Sequence, residues 1–177
     1  MPPRIYVAPI GEPPAEIVQA VVLRIAAAFA HVETVHPIVD LDGAFHPARR
    51  QYDSTRLLEA LARVPARADW RVIGVTDRDL FIPILTFVFG EAQLGGAAAV
   101  ASLYRLRNEF YGLPPDPGAV VDRLVKECLH ELGHTFGLIH CEDYTCVMHA
   151  STSVEDIDLK GTEYCARCAQ RVAAAVP

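Results

Sequence analysis

The sequence lacks any apolar run long enough to cross a membrane. The longest, Phe81–Phe89, is interrupted by Pro83 and Thr86 and is about half the ~20 residues that a spanning helix requires. The first residues, Met1–Tyr6, also lack the basic start and long apolar stretch of a secretory signal. We therefore expect a protein that stays in the cytoplasm and has no membrane partner.

Basic side chains are scarce as well. The chain carries 16 Lys and Arg against 22 Asp and Glu, for a formal net charge of −6. A dedicated nucleic-acid binder needs a basic face, so no nucleic-acid partner is expected. With 51% hydrophobic and 21% charged residues among 177, the chain is typical of one compact globular domain. A monomer is expected, because no feature of the sequence predicts assembly.

Hydrophobic patterns predict alternating strands and helices. Short apolar segments predict strands at 5–10, 32–35, 70–76, 86–89 and 97–106. Three helices are predicted. The first follows Pro13–Pro14 and has Ile17, Val21, Ile25 and Phe29 on one face. The second has Ser54 as its N-cap, and the third is capped by Asp116 and runs from Pro117 to about Phe136. Residues 40–46 are predicted to form a loop. This order predicts an α/β (α+β) layer structure whose first three strands are parallel.

The segment from His130 to His140 reads HExxHxxGxxH. His130 and His134 lie four apart on the predicted helix, so their rings project from one face and can bind one zinc ion. Gly137 allows the chain to turn, and His140 can then supply a third nitrogen. Three protein ligands leave one zinc position open, as in catalytic sites, and Glu131 is placed to act as a general base.

The alternative is that these histidines are unrelated residues on a helix. Five fixed residues match by chance with odds below about 10⁻⁴, which favours a metal site. Zinc is the expected metal, although imidazole nitrogens also suit nickel, copper and iron.

Four of the five cysteines fall in the last 37 residues, and their spacing indicates a second metal site. Cys141, Cys146, Cys165 and Cys168 form a CxxxxC…CxxC pattern that is typical of a closed structural zinc site. A redox-active CxxC pair or unligated thiols are the alternatives. The remaining Cys128 is expected to be a small buried hydrophobe.

Met148 would by itself be core filler, and an unbranched polarizable side chain here can form an apolar floor under the histidine rings. HExxHxxGxxH followed by this methionine resembles the metzincin clan of zinc peptidases. Cys141 directly after the third histidine, then Cys146-x-Met148 and the terminal CxxC, is similar to one branch of that clan, the archaemetzincins.

The resemblance implies a metzincin-like fold and activity. The fold would be a twisted mixed β-sheet with mainly parallel strands, a long active-site helix beneath it, and an antiparallel edge strand at 86–90 that lines the cleft. Residues 1–137 would form an N-terminal subdomain, and 138–177 a small lobe with a turn at Met148 and the cysteine zinc site. The activity would be hydrolysis of peptide bonds, in small or restricted peptides, with two Zn²⁺ per chain.

Three classes of function stay open on the sequence. The leading one is a zinc peptidase acting on peptide or protein substrates, with Glu131 as its base. The others are a catalytically silent zinc-bearing binding protein and a zinc-ribbon-like adaptor that uses only the cysteine lobe. A second electrophile for the oxyanion is also expected, and His149, Tyr144 and Tyr164 are its candidates.

Overall fold

A computed structural model describes residues 3–64, 67 and 69–175. Its strands are β1 (Arg4–Ile10), β2 (His31–Thr34), β3 (Phe45–His46), β4 (Gln51–Asp53), β5 (Trp70–Thr76), β6 (Leu80–Phe81), β7 (Gly90–Ala92) and β8 (Ala98–Ser102). Its α-helices are α1 (Ala15–Ile25), α2 (Leu41–Ala44), α3 (Ser54–Leu61), α4 (Pro117–Thr135), α5 (Val154–Leu159) and α6 (Ala166–Ala174), with 3₁₀ turns at Tyr104–Leu106 and Asn108–Tyr111. Within these ranges, no helix is long and apolar enough to span a bilayer.

The main sheet has five strands in the order β2-β1-β5-β8-β7. β1 pairs in parallel with β2 and β5, and β5 pairs in parallel with β8. Only β7, at the edge, is antiparallel to its neighbour. The prediction of parallel first strands and of a mainly parallel sheet with one antiparallel edge is therefore confirmed. A small second sheet, β3-β4-β6, lies beside it.

The two faces of the main sheet are covered by different helices. Ile73 and Val75 of β5 share a core with α1 and α4, whereas Val72 on the alternate side packs with α3. This alternation follows from the two-residue period of a strand, and it leaves α4 buried beneath β5, β7 and β8.

α4 has the bounds that the sequence predicted. The Asp116 carboxylate accepts a hydrogen bond from the Ala119 amide at 2.9 Å, and Pro117 occupies the first turn. Gly137, just beyond the helix, has a φ of +82°, which a residue with a Cβ rarely adopts. The chain therefore reverses where the motif predicted.

The predicted edge strand is wrong in its position. Residues 86–89 are outside the strands, apart from one bridge between Val88 and Leu80, and the edge strand begins at Gly90. A Cβ at Gly90 would lie 2.7 Å from both the Glu131 Cγ and the Val100 carbonyl oxygen. The pairing with β8 thus starts at the residue that has no side chain to clash with α4.

Three further predictions need correction. Strand 97–106 is limited to Ala98–Ser102, because the Ser102 hydroxyl accepts the Tyr104 amide and starts a 3₁₀ turn. The predicted loop at 40–46 contains α2 and β3. The N-cap of α3 is Asp53, whose carboxylate accepts the Thr55 amide at 3.0 Å. Ser54 is buried, and its hydroxyl contacts Glu91 across the fold.

Candidate metal centre

α4 places the rings of His130 and His134 side by side, with centroids 4.7 Å apart. The His130 Nδ1 lies 2.8 Å from the Val147 carbonyl oxygen, and the His134 Nδ1 lies 2.7 Å from that of Leu138. A carbonyl oxygen only accepts, so Nδ1 of each ring carries the proton. The two Nε2 atoms, each with a free lone pair, then lie 3.1 Å apart, an arrangement that a shared cation stabilises.

The turn at Gly137 brings His140 to the same place. Its ring centroid lies 5.2 Å from that of His130 and 5.1 Å from that of His134. The potential ligand atoms of the three histidines all lie within 4.8 Å of one another. We call these three residues the imidazole cluster. The structure thus brings together the three histidines that the motif selected.

The surroundings keep the imidazole cluster uncharged. Burial lowers the pKa of His130 well below its usual value, and the charge of Lys160 adds to the effect. Burial also lowers the pKa of His134 and of His140, the most exposed of the three. Neutral imidazoles keep a free lone pair, so the donor set fits a borderline cation such as zinc.

Glu131 is buried on α4 between the two helical histidines, directly opposite Gly90 of the edge strand. Burial raises the pKa of its carboxyl well above the ordinary value, and the nearby charge of Glu127 raises it further, while Lys160 opposes them. A carboxylate of raised basicity accepts a proton more readily, as a general base must.

An open cleft of about 680 Å³ exposes the imidazole cluster. One side is formed by residues 82–94, which include the mainly apolar stretch before β7, and the opposite side by Ile139 and residues 150–152. Glu127 and Glu131 line its floor with the histidines. The sides of the cleft are therefore mainly apolar, apart from Thr86, Glu91, Ser151 and Thr152, and two of the three histidines and the Glu131 carboxylate are carried by α4.

Met148 is fully buried against the helix face that carries the imidazole cluster. A Cβ added to Gly133 would overlap the Met148 sulfur, so the methionine occupies the space that this glycine leaves between the histidines. The Met148 carbonyl accepts the Cys141 amide at 2.9 Å, which closes the turn.

The sulfurs of Cys141, Cys146, Cys165 and Cys168 lie within 4.8 Å of one another, and we call them the thiol cluster. Cys165 caps the N-terminus of α6, which places the CxxC pair at a helix start. Although burial opposes it, hydrogen bonds from the Asp143 amide and Arg167 lower the pKa of Cys141 to about 7. A thiolate is therefore accessible near neutral pH, as metal binding requires. Cys128 lies apart in the core.

The three candidate electrophiles all lie outside the residues that line the cleft, within the described chain. The Tyr164 hydroxyl donates to the Leu129 carbonyl at 2.6 Å, and His149 Nδ1 donates to that of Cys141 at 2.9 Å. Tyr144 is 75% exposed and packs on His149.

Two charged groups of the site were missed by sequence reasoning. Lys160 Nζ donates to Glu127 Oε1 at 2.8 Å, and both side chains are almost fully buried beside the cleft. Glu127 carries a weak signal, because it precedes Glu131 by four residues and so shares its helix face. Lys160 lies 33 residues away in the chain and carries none.

Comparison with known proteins gives consistent matches. The model of peptidase family M54 matches residues 22–174. An archaemetzincin of Methanocaldococcus jannaschii is 41% identical over 170 residues, which cover 96% of this chain and 92% of that protein. The archaemetzincin of Pyrococcus furiosus is 38% identical over 178 residues, covering 95% and 91%.

Solved structures match over the same extent. The crystal structure of an archaemetzincin from Methanopyrus kandleri superposes with a TM-score of 0.82 at 35% identity, covering 97% of this chain and 94% of that one. A zinc-dependent peptidase from Methanocorpusculum labreanum superposes with a TM-score of 0.85 at 29% identity, covering 95% and 99%. The predicted resemblance and the metzincin-like fold are confirmed, and the chain belongs to peptidase family M54 together with its archaemetzincin relatives.

Proposed function

We propose that His130, His134 and His140 hold the catalytic zinc of this zinc metallopeptidase and that Glu131 is its general base. The observation that carries the proposal is the convergence of the imidazole cluster at the floor of an open cleft, beside a buried carboxylate. Peptide substrates follow from the family, and the M. labreanum relative is described as zinc-dependent.

Each group of the site has a separate role in the hydrolysis of the peptide bond. Bound zinc supplies positive charge that polarises the scissile carbonyl and acidifies a water molecule. Glu131 accepts the proton of that water and delivers it to the leaving amine. The Val147 and Leu138 carbonyls hold the two helical imidazoles in the Nδ1–H form, so that Nε2 stays available. The mainly apolar segment before β7 lines the cleft where a peptide would lie.

A second zinc is proposed at the thiol cluster, for two zinc ions per chain. The four sulfurs leave no open position, which suits a structural site. Cys141 directly follows His140, so this zinc would fix the chain on which the third imidazole depends. We further propose one peptidase domain, with residues 1–137 as its N-terminal subdomain and 138–177 as a lobe stabilised by this zinc.

We also propose a monomer that acts in the cytoplasm on small or restricted peptides, without nucleic-acid or membrane partners. All five cysteines are free thiols, which suits a reducing compartment. The net charge of −6 disfavours nucleic acid. Size-exclusion chromatography and localisation of the tagged protein test these points.

The test of the proposed function is Glu131→Gln. We expect hydrolysis of a peptide library to fall by a factor of 10²–10⁴ or more, the usual cost of losing a general base, with zinc content and circular dichroism unchanged. Glu59→Gln is the matched control, because Glu59 is exposed on α3 away from the cleft. Wild-type rates in the Glu131 variant would reject the mechanism.

A further inference from the structure

Glu127 lies on α4 one turn before Glu131 and lines the cleft beside the imidazole cluster. Its side chain is only 5% exposed. The proposed mechanism gives this carboxylate no role, since Glu131 already serves as the base. A buried charged group that borders a substrate cleft without taking part in the reaction is a candidate for substrate selection.

Lys160 fixes the orientation of this carboxylate. Its ammonium has no exposed side-chain surface, donates to Glu127 Oε1 at 2.8 Å and also reaches the His149 carbonyl at 3.4 Å. The ammonium balances the charge of the carboxylate and occupies one of its two oxygens. Within the described part of the chain, the other oxygen, Oε2, accepts no hydrogen bond.

No basic side chain among the described cleft residues donates a hydrogen bond to Oε2 in place of a substrate. Among the described residues that line the cleft there is no lysine or arginine. Its other carboxylates are Glu131, the proposed base, and Glu91, which accepts hydrogen bonds from the Ser54 and Thr55 hydroxyls. On the neighbouring wall, the Ser151 hydroxyl is buried and has no hydrogen-bond partner among the described residues. A substrate that covers Oε2 without donating to it leaves the acceptor both unpaired and shielded from water, so an occupant with a donor is favoured over one without.

We propose that Glu127 Oε2, held by Lys160, selects substrates that place a hydrogen-bond-donating side chain next to the scissile bond and rejects carboxylate side chains there. The inference rests on the proposed peptidase function. Because the Glu127–Lys160 pair is neutral as a whole, an uncharged donor such as a glutamine amide meets the site without an unbalanced charge. A glutamate of the same shape presents only acceptors and faces Oε2 with like charge.

The test uses quenched fluorescent peptides based on any sequence that the zinc-loaded wild-type enzyme cleaves. Two series carry Gln, Met or Glu at the residue before or after the scissile bond. In one series we expect kcat/KM for Gln to exceed that for Met by about tenfold and that for Glu by about a hundredfold. Equal rates for Gln and Glu in both series would overturn the inference but leave the peptidase function standing. Cleavage of no peptide would overturn both.

Glu127→Gln makes the test sharper. Its Oε1 would still accept from Lys160, so its Nε2 would present a donor to the cleft where the wild type presents an acceptor. The preference between Gln and Glu substrates should then invert, a result that general structural damage cannot produce. Glu59→Gln, which makes the same chemical change on the surface, should keep the wild-type ratio. An unchanged ratio in a folded Glu127 variant would refute the proposal, and the wild-type series decides the question if that variant does not fold.

Discussion

Gly133→Ala tests the packing of Met148 beneath the imidazole cluster. The added Cβ would overlap the Met148 sulfur and lie 3.1 Å from Tyr164 Cε1. Helix propensity favours the alanine by up to about 1 kcal/mol, whereas overpacking a filled core costs about 1–3 kcal/mol. We expect a net loss of unfolding free energy of up to about 2 kcal/mol, which lowers the Tm by several degrees in a chain of this size.

Gly118→Ala is the matched control in the same helix. A Cβ there would meet only the Asp116 Oδ1, at an ordinary 3.4 Å, so the alanine should be neutral or stabilising. The difference in unfolding free energy between the two variants isolates the overpacking cost, about 1–3 kcal/mol. Calorimetry of the zinc-loaded proteins measures it.

Activity should follow the same displacement. The Val147 carbonyl, next to Met148, holds the His130 ring, so moving the methionine tilts that imidazole. A shift of this kind can cost up to about a hundredfold in rate. In a Met148→Ala background, Gly133→Ala should cost less unfolding free energy than it does in the wild type, because the alanine methyl then enters vacated space. The reasoning fails if Gly133→Ala is as stable and active as Gly118→Ala.

The remaining predictions concern the two metals and the cleft. Protein purified without chelator and supplemented with zinc should hold two zinc ions per chain by elemental analysis, because the imidazole and thiol clusters are disjoint, and a maximum of one would contradict this. A brief, mild chelation should remove one zinc ion and all activity with little change in circular dichroism, because only the imidazole cluster has an open position. Added zinc should then restore turnover. Unfolding that accompanies the loss of activity would contradict this prediction. Cys165→Ser should damage both sites, because structural zinc contributes on the order of 10 kcal/mol to folding and Cys141 adjoins His140; a fully stable and active variant would reject the assignment. Arg105→Lys should lower the unfolding free energy by about 1–2 kcal/mol and raise KM. Lysine reproduces neither the paired hydrogen bonds of Arg105 to Asp79 nor its packing over Phe87, which lines the cleft. An unchanged KM would exclude a role of Arg105 in supporting the cleft.

Local sequence patterns by themselves determined the features that depend on residues close in the chain. The bounds of α4 follow from Asp116, Pro117 and Gly137, since capping and chain reversal are decided within a few residues. The spacing of the histidines, and of the cysteines within each pair, likewise predicted two clusters, because helix geometry and short loops keep such residues together. The alternation of strand and helix segments predicted that the first three strands are parallel.

Only the tertiary structure decided the features that depend on distant partners. Ser54 resembles an N-cap, but its hydroxyl contacts Glu91, 37 residues away, and Asp53 takes the cap. The first residue of the edge strand, Gly90, lies where Glu131 and the Val100 carbonyl leave no room for a side chain. The Glu127–Lys160 pair joins α4 to the residue that follows α5, across 33 residues. No local pattern encodes such contacts, since they exist only when packing brings separate segments together and burial makes their pairing necessary.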